Sequence, residues 1–295
     1  MNKDISILVL SHKSKNLVTN LIKKLYNKFP IIVVDNSDDL ELKRILNAEY
    51  PRVIYLLIDN NGYGAAINFG SNFIKTKYFL ILNPDIEDID EKKIIYFEKA
   101  ASKLNDEFSV LGPRYTNLDI KSIKQSNENI EIANWKFISG ACMFIKNETF
   151  KLLSGFDENF FLYFEESDYC LRAYKINKNY QINNIKIKHN VGKSVNTESV
   201  AEKEKLNYLY NWHFVWSKFY YFKKHYGFLI SMLYFLPILF RTNIKIIYFK
   251  ILSKHKKMKK YKIRNDALLS SIKGEKSYKR INNFLEILFF FKFTY

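Results

Sequence analysis

Tyr78-Phe79-Leu80-Ile81-Leu82-Asn83-Pro84-Asp85 is an unbroken apolar run closed by a turn and an acid. Without polar alternation, and at this length, such a run reads as a strand buried on both faces. Three more runs share its form: Ile5 to Leu10, Ile31 to Asp35 and Val53 to Ile58. Segments of helical length separate them, with Leu17, Leu21, Ile22 and Leu25 marking one apolar face and Ala65 to Ile74 a second short helix. Strand alternating with helix predicts an α/β fold with a mostly parallel central sheet covered on both faces. Ligands of such sheets bind beyond the carboxyl ends of the strands. The residues that follow each run are therefore the first candidates: Ser11-His12, Asp35-Asn36-Ser37, Asp59-Asn60-Asn61-Gly62 and Asn83-Pro84-Asp85.

Further along, a helical pattern runs from Asp90 to Leu104, a strand is predicted at Phe108 to Leu111, and Asn117 to Asn134 reads as a polar loop or flap. Phe137 to Ile145 reads as a strand interrupted by Ser139-Gly140-Ala141, small residues that permit close approach of backbone or ligand. A helix over Glu165 to Ile176 and a strand from Gln181 to Ile187, ending near His189, complete the pattern. Between Gly155 and Arg172, Asp157, Glu158, Glu165, Glu166 and Asp168 stand among six aromatic rings. An ionised carboxylate loses hydration on burial, so this mixture points to a site. A helix start with acids on its first turn and rings facing the core accounts for Asp157 and Glu158 better than for Glu165 to Asp168.

The composition, 295 residues and 47% apolar, excludes a disordered chain. Residues 201 to 295 hold 20 Lys/Arg against 5 Asp/Glu and so carry +15 of the formal +17. That asymmetry predicts an anionic partner, nucleic acid or an acidic membrane face. Phe228 to Phe240 is a 13-residue apolar run, short of the ~20 needed to span a bilayer. Arg241, Lys245, Lys250 and the cluster Lys254 to Lys262 follow it, and Phe284 to Phe291 is again apolar. These features read either as a segment lying on an anionic membrane or as helices packed on the preceding domain with a solvated basic face. The chain is therefore divided into residues 1–200 and a basic, aromatic, helical region, 201–295. Cys142 and Cys170 fit neither a disulfide framework nor a metal spacing. Ile5 to Leu10 is too short for the core of a signal peptide, so a cytoplasmic location is expected.

A carboxylate at Asp85 would face the ligand crevice, where Mg²⁺ or Mn²⁺ held by one or two acids and a diphosphate is a common arrangement. Asn-Pro-Asp also simply turns a chain. His189, a lone histidine after a strand, is equally open between a structural role and a metal ligand. Asn61-Gly62-Tyr63-Gly64-Ala65-Ala66-Ile67-Asn68-Phe69-Gly70 is a strand-to-helix junction where backbone N–H groups can approach a phosphate. It lacks the GxGxxG spacing, and a ribose-binding acid is not clearly placed, which discounts a nicotinamide-dinucleotide enzyme.

Taken in order, Asp35-Asn36-Ser37, Asn61-Gly62 with Asn68 and Gly70, Leu82-Asn83-Pro84-Asp85, Ser139-Gly140-Ala141, Gly155-Phe156-Asp157-Glu158, Phe161 to Asp168 and His189 resemble the inverting family 2 glycosyltransferases. Within that family the chain is most similar to the rhamnosyltransferase branch. The resemblance spans about residues 4 to 195 and rests on order and spacing more than on any single motif. It implies a GT-A fold and a nucleotide-diphosphate sugar donor. By the same resemblance Asp35 would meet the base, Asn68 would help hold the nucleotide, and Ser11, Asn61, Gly62, Asn83 and Gly140 would lie along the donor site. Asp85 would bind the metal, Mg²⁺ or Mn²⁺, with His189 as a further ligand. Position 83 is Asn where the family's fuller motif carries an acid. Glu166 falls at the general base, with Glu165 as its rival. Asp168 and Arg172 would orient that motif, and Asp157 and Glu158 would line the acceptor side beside the aromatic walls of an acceptor pocket.

The expected activity is transfer of a sugar, with dTDP-rhamnose the first choice and a UDP-hexose the alternative. The acceptor would be a hydroxyl of a glycan or lipid-linked oligosaccharide in surface polysaccharide assembly, with the enzyme peripheral on the inner face of the cell membrane. Two other classes compete: a nucleic-acid-binding protein acting through its basic third, which is not the expectation, and a catalytically inactive membrane scaffold of the same fold.

Overall fold

The computed structural model describes residues 2–118, 123–192 and 199–277. The chain divides into two compact units, one of Met1–Glu158 with Glu165–Asn196 and one of Asn159–Phe164 with Thr197–Tyr295. A division near residue 200 thus leaves out Asn159–Phe164, a short segment that groups with the C-terminal helices.

The first unit begins with β1 (Ile5–Ser11), α1 (Lys15–Leu25), β2 (Ile31–Asp35), α2 (Leu40–Glu49), β3 (Ile54–Leu57), α3 (Tyr63–Ser71) and β4 (Tyr78–Leu82). β1, β2 and β4 are buried almost throughout, as their continuous apolar runs require. They pair in parallel in the order β3-β2-β1-β4. α2 had no place in the sequence reading; it starts where Asp39 caps the Leu42 amide at 2.9 Å.

Beyond β4 the sheet changes character. β5 (Ile86–Glu87), α4 (Glu91–Lys103), β6 (Val110–Tyr115), β7 (Ile132–Asn134), β8 (Cys142–Lys146), α5 (Asn147–Leu152), α6 (Glu165–Ala173) and β9 (Asn179–His189) follow. β8 is antiparallel to both β4 and β6, β9 is parallel to β6, and β5 and β7 pair antiparallel with β9. The sheet is therefore mixed, and only its first half is wholly parallel. The stretch expected to form a flap is pinned: the amide of Gln125 exchanges hydrogen bonds with the Tyr115 backbone at 2.6 and 2.9 Å, and Ser126 and Asn183 are buried and joined. Residues 119–122 of that stretch lie outside the described residues.

The second unit contains α7 (Val200–Tyr226), α8 (Phe228–Ile251) and α9 (His255–Lys273). Ser199 caps α7 through the Glu202 amide at 3.1 Å, and Gly227, at φ 84°, separates α7 from α8. Trp212, Trp216 and Ala267 form one packed cluster and Phe219, Phe235 and Leu268 another. The apolar run from Phe228 thus continues into a helix of 24 residues, long and apolar enough by composition to cross a membrane. The sequence reading stopped it at Phe240, before Arg241. The apolar C-terminal run Phe284 to Phe291 lies outside the described residues.

Candidate active site

The carboxyl ends of β2 and β3 open on a cavity of about 560 Å³ lined by Asn36, Ser37, Asp38, Leu57, Ile58, Asp59 and Asn60. A line of side chains runs across it. His12 Nδ1 lies 2.8 Å from Asn36 Oδ1, Asn36 Nδ2 donates to Asn60 Oδ1 at 3.2 Å, and the Gly62 amide reaches the same oxygen at 3.4 Å. Gly62, at φ 105°, holds a backbone conformation that a side chain would strain as the chain enters α3. Asn61 is exposed beside it.

Two residues assigned here from the sequence have other work. Asp35 is fully buried, and its oxygens accept from the Ser37 amide and hydroxyl, the Asp39 amide and the Tyr55 hydroxyl at 2.7 to 3.1 Å. These bonds shape the loop that lines the cavity. Ser11 is also buried, its hydroxyl 3.2 Å from that of Ser14, so His12 is the polar side chain that β1 delivers.

Asn68 is engaged by the main chain as well. Its Nδ2 donates to the Phe156 carbonyl and to Glu158, both at 2.9 Å, while its Oδ1 accepts from the Phe156 amide at 2.8 Å. It clamps the Gly155–Glu158 loop. Arg172 braces the same loop through the carbonyls of Leu153 and Gly155 at 2.8 and 2.7 Å, and it pairs with the fully buried Asp168 at 2.8 Å. Asp168 and Arg172 thus join the loop to α6. Asp157 is half-buried in this loop, and Glu158, although exposed, is held by Asn68.

At the end of β4 the turn Asn83-Pro84-Asp85 leads into β5, whose Ile86 faces His189 across the antiparallel pair with β9. That register brings Asp85 Oδ1 within 3.3 Å of His189 Nε2. Asp85 is 2% exposed, and neither of its carboxylate oxygens has a hydrogen-bond partner among the described residues. A buried carboxylate with unspent lone pairs beside an imidazole nitrogen fits a divalent cation. Among the described residues no group of three His, Cys, Asp or Glu side chains gathers as a metal cage. Two protein ligands and a substrate diphosphate match what is there.

The glutamates stand at the start of α6. Tyr63, the first residue of α3, donates its hydroxyl to the Gly140 carbonyl at 2.7 Å and lies 3.3 Å from Asn83 Oδ1. A Cβ at Gly140 would sit 3.3 Å from Glu166 Cβ and 3.9 Å from the Tyr63 ring. Gly140 therefore lets the loop before β8 close on both. Glu166 is half-buried and accepts from the Ser167 hydroxyl at 2.9 Å. Glu165 is 5% exposed and its Oε2 has no hydrogen-bond partner. Burial, then the charge of Glu166, push its carboxyl well above the usual carboxylate range. Burial, with both glutamates adding, also raises the Tyr63 hydroxyl. The sequence reading missed Tyr63, although its place just after Asn61-Gly62 was a usable signal; Asn36, Asn60 and Asp59 carried only their positions after strands.

The aromatic rings of the Gly155–Arg172 stretch are packing residues. Phe156 and Tyr169 are buried 5.3 Å apart in the core of the first unit. In the second unit Phe160 packs on Tyr220 at 4.9 Å, Phe161 on His213 at 4.6 Å and Phe164 on Tyr221 at 5.5 Å. Tyr163 and Phe164 are only half-buried.

The profile of Glycosyl transferase family 2 matches residues 6–172. The chain belongs to that family. A low-salt glycan biosynthesis hexosyltransferase of Haloferax volcanii, Agl10, is 25% identical over 61% of this chain and 64% of its own length. The chain thus matches less than two thirds of that relative. Rhamnosyltransferase WbbL of Escherichia coli K12 is 28% identical over 56% of this chain and 75% of its own. In structure, S. aureus TarS 1-349 is similar with a TM-score of 0.52 and 14% identity, over 94% of this chain and 93% of that one. The likeness shows a shared GT-A fold, and Asn36, Asn60, Tyr63, Asp85, Glu166 and His189 all lie in the first of the two units.

Proposed function

We propose that this family 2 protein is an inverting glycosyltransferase that moves a sugar from a nucleotide diphosphate to an acceptor hydroxyl. The observation that carries the reading is Asp85, buried with both oxygens unspent beside His189, in the same unit as Glu166, which Gly140 and Tyr63 border. The nucleoside would occupy the cavity from Asn36 to Asn60, with its diphosphate toward the Gly62 turn and Asp85.

Asp85 and His189 would hold Mg²⁺ or Mn²⁺, which when bound neutralises charge on the departing diphosphate. Glu166 takes the proton of the acceptor hydroxyl as its oxygen attacks the anomeric carbon; the bond to the diphosphate oxygen breaks, and the nucleotide leaves. One displacement inverts the anomeric centre. Glu165, buried and held protonated, is unsuited to accept that proton and is assigned a packing role. Asn83 lies within reach of the Tyr63 hydroxyl and would keep that hydroxyl and the turn before Asp85 in place.

The E. coli relative's name supports dTDP-rhamnose as the first donor to test, and the haloarchaeal relative's name supports a hexose donor such as a UDP-hexose. The name of the Haloferax relative concerns glycan biosynthesis, which supports a glycan or lipid-linked acceptor in surface polysaccharide assembly. The basic third and the apolar α8 support a peripheral place on the inner face of the cell membrane. A thermal-shift panel of nucleotide sugars with and without Mn²⁺ or Mg²⁺, followed by product analysis, tests the reading. A donor that raises Tm only with metal and yields an inverted linkage is expected. If no sugar nucleotide shifts Tm under any metal, the inactive scaffold replaces the enzyme.

A further inference from the structure

Helix α8 presents an apolar stripe to its outside. Leu229, Leu233, Phe240, Ile244, Ile247 and Ile251 recur at helical spacing, and four of them, Leu229, Leu233, Phe240 and Ile251, are 77, 74, 68 and 76% exposed. At about 1.5 Å per residue the stripe is roughly 33 Å long. The opposite face is occupied: Phe235 is buried with Phe219 of α7 and Leu268 of α9. At about 100° per residue, Arg241 flanks one edge of the stripe and Lys250 the other, and both are exposed; Lys245 turns toward α9, its Nζ over the Tyr261 ring at 5.0 Å.

We propose that α8 lies in the plane of an anionic phospholipid bilayer, with this stripe among the acyl chains and Arg241 and Lys250 at the phosphates. The proposal deepens the membrane association read above and rests on it. Crossing is disfavoured by the helix itself. Arg241 stands next to the midpoint of Phe228–Ile251, where a spanning helix would carry it to the centre of the hydrocarbon. Crossing would also draw in α9, which packs along α8 and opens with Lys256, Lys257, Lys259 and Lys260. A second copy is a poorer cover, because its own basic edges would meet these. An anionic surface complements both the apolar stripe and its charged borders.

The test uses the full chain with an environment-sensitive fluorophore on Leu233→Cys, Phe240→Cys or Ile247→Cys; the native Cys142 and Cys170 are buried. Lys99→Cys in the first unit is the control. With phosphatidylcholine vesicles containing roughly a third phosphatidylglycerol, the three α8 labels should shift to the blue and be quenched by shallow lipid quenchers to the same depth, and the control should not. Leu233→Gln with Phe240→Gln should lower vesicle partition by about tenfold or more, with Tm and donor-dependent activity unchanged. Depth increasing from one label to the next would mean a crossing helix and overturn the proposal. Vesicle binding with unquenched α8 labels would overturn it too while leaving membrane association standing. Labels already shielded without lipid would show that protein covers the stripe. Salt-sensitive RNA binding without vesicle binding would remove both membrane readings and leave the transferase reading intact.

Discussion

Replacing Glu165 by Gln separates the two glutamates at the start of α6 without changing shape. The native carboxyl is buried, one oxygen lacks a partner, and burial with the neighbouring Glu166 keeps its proton on well above the usual carboxylate range. The unfolded chain releases that proton in the ordinary range. The native state therefore binds more protons than the unfolded state as pH rises from about 4.5, and the unfolding free energy falls with pH, by at most about 1.4 kcal/mol per unit for one group. Glutamine has no proton to exchange. Between about pH 5 and pH 7 the Tm of the variant should therefore climb relative to that of the wild type. Any constant penalty for burying the amide drops out of this pH dependence. Thermal denaturation of both proteins across that range is the assay, paired with turnover at pH 7. Glu165→Gln should keep turnover within about tenfold, whereas Glu166→Gln should lose about 10² to 10⁴. A Tm difference that is flat with pH would show Glu165 ionised. An equal loss in both variants would make Glu165 the base, and either result refutes the assignment.

Asp85→Ala should abolish the metal-dependent thermal shift by a nucleotide sugar and lower kcat by about 10² to 10³; a retained metal-dependent shift would move the cation elsewhere. Tyr63→Phe leaves the Gly140 carbonyl without its 2.7 Å donor and should lower stability by about 1 to 3 kcal/mol in urea unfolding, with kcat falling more than the donor KM rises. Asn68→Ala should lower stability by a similar 1 to 3 kcal/mol, roughly, with donor KM unchanged. A large rise in donor KM at constant Tm would restore Asn68 to the nucleotide.

The parallel half of the sheet was legible because β1, β2 and β4 are continuous apolar runs, and only a strand buried on both faces reads so. The antiparallel half was less so: β6 extends to Tyr115 through Gly112 and Pro113, and β8 begins only at Cys142, after the small residues that seemed to interrupt it. In the site, residues at strand ends were found by position. Asp85 and His189 kept their pairing because the β5–β9 register places them together. Asp35, Ser11 and Asn68, named for a ligand, also bond within the protein to Ser37, Tyr55, Ser14 and the Phe156 backbone. A polar side chain looks the same in sequence whether its partner is a ligand or a distant main chain.

The sequence by itself determined the α/β class, the family and the crevice at the strand ends, since hydrophobic period and motif order are local properties of the chain. Only the tertiary structure set the surroundings of each acid. Glu165 and Glu166 are adjacent and chemically identical, and burial separates them. The same holds for the rings around them, which are alike in sequence and divide between the two units in space. Solvation is set by what folds back from elsewhere: Gly64 and Phe156 near Glu165, and Gly140 and Tyr63 beside Glu166.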